Sequence, residues 1–310
     1  TPHIDRIAQM GVRFTRAYCQ SPICGSSRMS TYTGRYPSSH GAQFNGFPLR
    51  VGEQTMADHL RRVGMDCWLI GKTHMVADAE GMARLGLEPD SLIGARQAEC
   101  GFDVWVRDDG LWAEGPEGFY DQKRSPYNEY LKSKGYEAEN PWHDFANSGL
   151  DENGNVISGW FLKNSAYAAN IEESDSETPY LTGRAMEFIE KAKGPWCAHL
   201  SYIKPHWPCI APAPYNAMYA AADVLPAVRA AEELSTQNPV FAGFQRRRVS
   251  QSFSDEGVRV PVVAAYMGLV KQLDDQLGVL FSALKDRGLF ENTMIIFTSD
   301  HGDYLGDHWR

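Results

Sequence analysis

Apolar residues recur along this chain in two rhythms, one helical and one strand-like, and their succession predicts an α/β fold. Residues 3–10 place Ile4, Ile7 and Ala8 on one helical face and stop at Gly11. A helix over 53–63 gathers Met56, Leu60 and Val63, and one over 179–193 gathers Leu181, Ala185, Phe188 and Ile189. A longer helix over 261–286 carries a stripe of Val263, Tyr266, Met267, Val270, Leu273, Leu277, Leu280 and Leu284. Near-continuous apolar runs at 66–70, 196–203 and 294–298 read as buried strands, and 12–18 as a further short strand. Helix, turn and strand in that order are pieces of βαβ units, so a largely parallel sheet with helices on both faces is expected.

From about 76 to 180 the rhythm weakens, with Trp105, Trp112, Trp142 and Trp160 spread among Gly, Pro, Asn and Asp. So long an irregular insertion suits a lid or pocket wall, or a structural excursion with a small core of its own. Core packing is the expectation for Trp105, Trp112 and Trp160; residues 236–258 read as a polar loop. No repeat or low-complexity segment interrupts what is expected to be a single domain over 1–310.

Composition narrows the function. A formal charge of −9 opposes approach to phosphate backbones and argues against a nucleic-acid partner. The basic run Arg246-Arg247-Arg248 reads as a solvated face, and no apolar run is long enough to span a membrane. Six cysteines at 19, 24, 67, 100, 197 and 209 form no CxxC pair and several sit in apolar segments. That suggests reduced, buried thiols and a cytoplasmic protein. The chain begins at Thr1 without an initiator Met and stops just past a dense motif, so both ends read as cut and a signal peptide upstream stays open.

Chemistry gathers at the ends of the apolar runs: Lys72 and His74 after the first, His206 after the second, Asp300 and His301 after the third. In an open parallel sheet, ligands bind beyond the carboxyl ends of strands. Singly, each has a bland alternative: His206 as a packed histidine, Asp300-His301 as a helix cap. Cys24 opens a short helix closed by Gly34 and Pro37, with Arg28 one turn on. A thiol there is a nucleophile, a metal ligand or simple packing. Taken together the groups point to anion transfer. Arg28 and Lys72 suit anionic oxygens, Asp300 and His301 suit a divalent metal, and His206 or His74 can protonate a leaving group. Cys24 would be the nucleophile.

These residues lie in motifs that resemble the sulfatase family of the alkaline phosphatase superfamily, close to its arylsulfatase and phosphonate monoester hydrolase members. They are Thr1-Pro-His-Ile-Asp-Arg-Ile7, Cys24-x-x-x-Arg28 with Thr33-Gly34-Arg35, Gly71-Lys-Thr-His74, Lys204-Pro-His206-x-Pro208, and Thr298-Ser-Asp-His-Gly302 with Leu305-Gly-Asp-His308. They run in the family's order from end to end of the chain. The resemblance implies an alkaline-phosphatase-like fold and metal-dependent hydrolysis of a small-molecule sulfate ester. It implies that a formylglycine-generating enzyme oxidises Cys24 and that Arg28 holds the resulting hydrate. It implies substrate contacts for Lys72, His74, His206 and Asn45, and a metal held by Cys24, Asp300 and His301, with Ca²⁺ expected and Mn²⁺ the alternative. Whether the protein is a homo-oligomer stays open.

Two departures bear on this. Ser26 stands where the modification signal has Pro or Ala. The family's first strand, with its metal-binding aspartate, is expected before Thr1, and a further family lysine after His308. Lys72 with His74 favours sulfate, whereas His301 and Asn45 favour phosphonate or phosphate esters. The rival of another class is an inactive relative that binds such a ligand through an unmodified Cys24. A phosphatase with a Ser or Thr nucleophile would want a motif this chain lacks.

Overall fold

The computed structural model describes residues 1–110, 125–235 and 238–310. Its first elements are α1 (Pro2–Met10), α2 (Cys24–Thr33), α3 (Pro37–His40), α4 (Met56–Arg62), β1 (Asp66–Gly71), α5 (Ala79–Arg84), α6 (Leu92–Ala98) and β2 (Asp103–Arg107). Then follow α7 (Pro126–Ser133), β3 (Ser148–Leu150), β4 (Val156–Ser158), α8 (Glu177–Lys191) and β5 (Trp196–Ser201). The last are α9 (Pro239–Gln245), α10 (Arg248–Phe253) and α11 (Glu256–Asp286).

β1 is the central strand of a parallel sheet ordered β2-β1-β5. Its side chains alternate between the two faces, as the pleat requires. Cys67 and Leu69 pack on one face with Met29 and Tyr32 of α2, Ala57 of α4, and Phe102. Trp68 and Ile70 pack on the other with Leu181 and Phe188 of α8 and Leu277 and Phe281 of α11. Helices therefore cover both faces, and the sheet stays in the middle of the core. At the end of β1 the chain passes so close to β5 that a Cβ on Gly71 would lie 2.2 Å from the Ser201 carbonyl oxygen. Gly71 also has a φ of 101°, which only glycine adopts without strain.

Several expectations are corrected. Residues 12–18 form no strand: Val12, Phe14 and Tyr18 are exposed, and none of them pairs with a described strand. The run 294–298 is likewise unpaired among the described residues, with Met294 and Ile296 exposed. It and β5 both line a cavity of about 540 Å³. Val63 follows the last turn of α4 as its C-cap and faces solvent rather than the core. The stretch 236–258 contains α9 and α10.

α11 begins five residues earlier than its pattern suggested, with the Asp255 side chain capping the N–H of Gly257 and Pro261 inside the helix. Its buried face is Val262, Ala265, Leu269, Leu273 and Leu277, rotated from the predicted stripe in its first half. Tyr266 and Val270 of the predicted stripe line the cavity instead, while Gly268 on the buried face comes so close to its neighbour that a Cβ would lie 2.3 Å from the Tyr215 carbonyl oxygen. The irregular stretch 76–180 supplies β2 to the sheet. Within it Trp105 packs edge-on to Trp68 and Phe188, and Trp160 packs against Trp142 and Trp207. Trp112 lies outside the described residues.

Candidate active site

All three strands of the sheet end at one place. β1 runs into Lys72-Thr73-His74, β5 into Ser201 and the loop that carries His206, and β2 into Asp108 and Asp109. The N-terminus of α2 points Cys24 and Arg28 into the same region, where Asp300 and His301 also arrive.

Cys24 is the focus. Its sulfur lies 3.1 Å from His301 Nε2, and His206 and His74 stand near enough to favour its charged form. Burial alone would raise its pKa, but the three histidines and the charge of buried Lys72 outweigh that and hold the thiol down at about 3. The thiolate in turn lifts His301 to about 9, against the effect of burial. In both His206 and His301 the Nδ1–H donates to the carbonyl of the next residue, Trp207 and Gly302. That fixes the tautomer and leaves each Nε2 as the nitrogen free for chemistry.

Arg28 is held on several sides. Its Nε meets Asp300 Oδ2 at 3.0 Å, and one terminal nitrogen donates to the Lys72 carbonyl at 2.9 Å and to Ser201 Oγ at 2.8 Å. Burial would raise the Asp300 pKa; the charges of Arg28, His301 and Lys72 prevail and lower it. Ser27 Oγ donates to the Asp300 carbonyl at 2.5 Å, tying the far end of the chain to α2.

Seven of the eight sequence-predicted residues, Cys24, Arg28, Lys72, His74, His206, Asp300 and His301, converge here. Asn45 lies beside them with its side-chain oxygen accepting the Gly25 N–H at 2.8 Å, a cap on α2 in addition to any contact with a substrate. Ser201, Asp109, Arg107 and Glu99 were missed. No motif marks Ser201, and β2 is a five-residue strand inside a stretch of weak periodicity. The signal that could have found Arg107 and Asp109 is the charge that closes the apolar run in Asp103-Val-Trp-Val-Arg-Asp-Asp109, and Glu99 carries none.

Cys24, Asp300 and His301 each offer a ligand atom, all within 4.8 Å of one another. His301 Nε2 has its partner nitrogen already hydrogen-bonded, and each Asp300 oxygen has only one hydrogen bond. A mixed S, N and O set of this kind fits a divalent metal.

A parallel sheet covered on both faces, with an anion-binding site at its carboxyl edge, is the architecture of alkaline-phosphatase-like proteins. The chain belongs to the sulfatase family, whose model matches residues 1–310. It is 30% identical to a multifunctional alkaline phosphatase superfamily protein, PehA, of Trinickia caryophylli, covering 99% of this chain and 58% of that one. It is 27% identical to an arylsulfatase of Clostridium perfringens, covering 99% of this chain and 59% of that one. Among solved structures it resembles the phosphonate monoester hydrolase of Agrobacterium radiobacter, with a TM-score of 0.80 and 27% identity, over 100% of this chain and 59% of that one. The chain thus spans a little over half the length of the relatives it matches.

Proposed function

We propose that the protein hydrolyses a sulfate ester of a small molecule, with position 24 as formylglycine and a divalent metal beside it. The observation that carries this is the convergence of His74, His206 and His301 on a single sulfur next to Lys72 and the Arg28–Asp300 pair. The Cys24 sulfur stands in here for the oxygens of the modified residue. A position so surrounded by cationic and hydrogen-bonding groups stabilises negative charge, which an anionic ester and its transition state both carry. Arg28, oriented by Asp300 and Ser201, grips oxygens at position 24, and Lys72 supplies charge for the ester. With Nδ1–H given to the Trp207 carbonyl, it is the imidazolium form of His206 that would carry a second proton at Nε2, where it can pass to the leaving oxygen. Cys24, Asp300 and His301 would hold the metal, which when bound polarises the ester and neutralises charge. Oxygen-rich ligation favours Ca²⁺, and the His301 nitrogen makes Mn²⁺ the alternative.

Phosphonate monoesters are the second substrate class. Similarity to the Agrobacterium radiobacter enzyme supports it, as does the place of Asn45 against the helix that carries Cys24. Ser26 is fully buried and its Oγ has no hydrogen-bond partner, so it packs as a small residue in the modification segment. A formylglycine-generating enzyme is the partner this proposal requires.

Mass spectrometry across residues 17–28, with turnover of 4-nitrophenyl sulfate and phenylphosphonate, tests the proposal. The expected result is a thiol-to-aldehyde mass loss at Cys24 and faster sulfate release. An intact thiol, from a host that modifies a control sulfatase, overturns the mechanism.

A further inference from the structure

His74 holds a left-handed backbone, φ 56°, without being glycine. One buried ionic cluster grips the chain on both sides of it. Asp109 Oδ1 accepts the backbone N–H of Thr73 at 3.1 Å and that of His74 at 3.4 Å. Asp109 Oδ2 accepts from Arg107 at 2.8 Å, and the same Arg107 nitrogen donates to the Met75 carbonyl at 2.9 Å. The other terminal nitrogen of Arg107 meets Glu99 at 2.6 Å, and the second Glu99 oxygen accepts the Thr73 hydroxyl at 3.2 Å. None of the three residues is more than 5% exposed.

A buried ion-pair cluster is a poor source of stability, because desolvating the charges offsets their attraction. This one directs its bonds to three consecutive residues of the loop that carries His74, and His74 is one of the groups that favour the charged form of Cys24. We infer that Asp109 is a positioning residue: it acts through His74, holding the left-handed turn so that the ring faces position 24. β2 thereby serves the site by delivering Asp109 and Arg107 beneath it. Only the kinetic consequence rests on the ester-hydrolase proposal.

The test compares Asp109→Ala, Asp109→Asn, His74→Ala and the Asp109→Ala/His74→Ala double variant in the full-length protein. The His74 ring Cε1–H resonance is assigned by its loss in His74→Ala. Asp109→Ala is expected to shift that resonance and to lower kcat for 4-nitrophenyl sulfate by roughly 10²-fold with little change in KM, as displacement of an aligned group does. The double variant is expected to be no slower than His74→Ala. Asp109→Asn keeps an oxygen for the two N–H groups and should shift the resonance less, in the same direction. An unmoved His74 resonance in both Asp109 variants, or losses that multiply in the double variant, overturns the inference. If Asp109→Ala does not fold, the Asp109→Asn resonance decides, and an unshifted signal overturns it. If the wild-type protein turns over no ester, the resonance decides alone, so failure of the hydrolase proposal stays distinguishable.

Discussion

Arg28 Nε lies 3.0 Å from Asp300 Oδ2, a pair that joins the first turn after Cys24 to a motif 272 positions away. Both side chains are largely withdrawn from solvent, and Arg28 also reaches Lys72 and Ser201. The pair therefore links four chain segments that carry the site.

Replacing Arg28 by Lys keeps a charge and loses the planar fork that spans Asp300, the Lys72 carbonyl and Ser201. Turnover should fall by about 10²-fold or more, as when one charge-stabilising donor is removed. Arg28→Ala leaves Asp300 partly buried without its partner and should cost about 3 kcal/mol, read by chemical denaturation. A lysine variant with wild-type kcat would show that the fork is not needed.

In protein left unmodified at position 24, the thiolate should persist to low pH, because its pKa is held near 3. Iodoacetamide should then label Cys24 at pH 5 nearly as fast as at pH 8. Removing His206 or His301 takes away a group that favours the thiolate, so labelling of either alanine variant should slow as pH falls. A wild-type labelling rate that drops tenfold per pH unit below 8 would contradict this.

Glu99 has the opposite shift. Burial, only partly offset by Arg107, lifts its carboxyl to about 7. The folded state thus holds a proton that the unfolded chain releases near the ordinary glutamate value of about 4.3. The resulting stability is present below that value and is lost as pH rises through about 7. Between those limits the melting temperature of the wild type, relative to Glu99→Gln, should decline with pH. Parallel curves would remove Glu99 as the cause. Asp109 does not share this window, because Arg107 outweighs burial and keeps its pKa below the usual range.

Gly71→Ala should be costly for a local reason. The new methyl would overlap the Ser201 carbonyl oxygen, at a φ that L side chains rarely adopt. A destabilisation of about 3 kcal/mol or more is expected from strain and overlap combined. Because Lys72 is the next residue, kcat should fall beyond what the loss of folded protein explains. Denaturant titration beside active-site-normalised turnover measures both.

The sequence by itself determined the α/β class, the helix faces at α1 and α8, the presence of α4, and the strands β1 and β5. Those segments carry their periodicity in a dozen or fewer neighbouring residues, so local pattern and burial agree. It also named the residues that meet at Cys24, because strand ends in a parallel sheet share one edge and because the motifs resemble a known family. Tertiary structure decided the rest. Whether 294–298 pairs as a strand depends on a neighbour within hydrogen-bonding distance, which its apolar pattern cannot specify. Which face of α11 is buried depended on its tertiary neighbours, among them the Tyr215 carbonyl that Gly268 meets. Asp109 and Ser201 carry no motif, and their relation to His74 and Arg28 exists only when β2, β1 and β5 lie side by side. Hydrophobic pattern fixes which face of a segment is buried; which polar group then meets which depends on the register between distant segments.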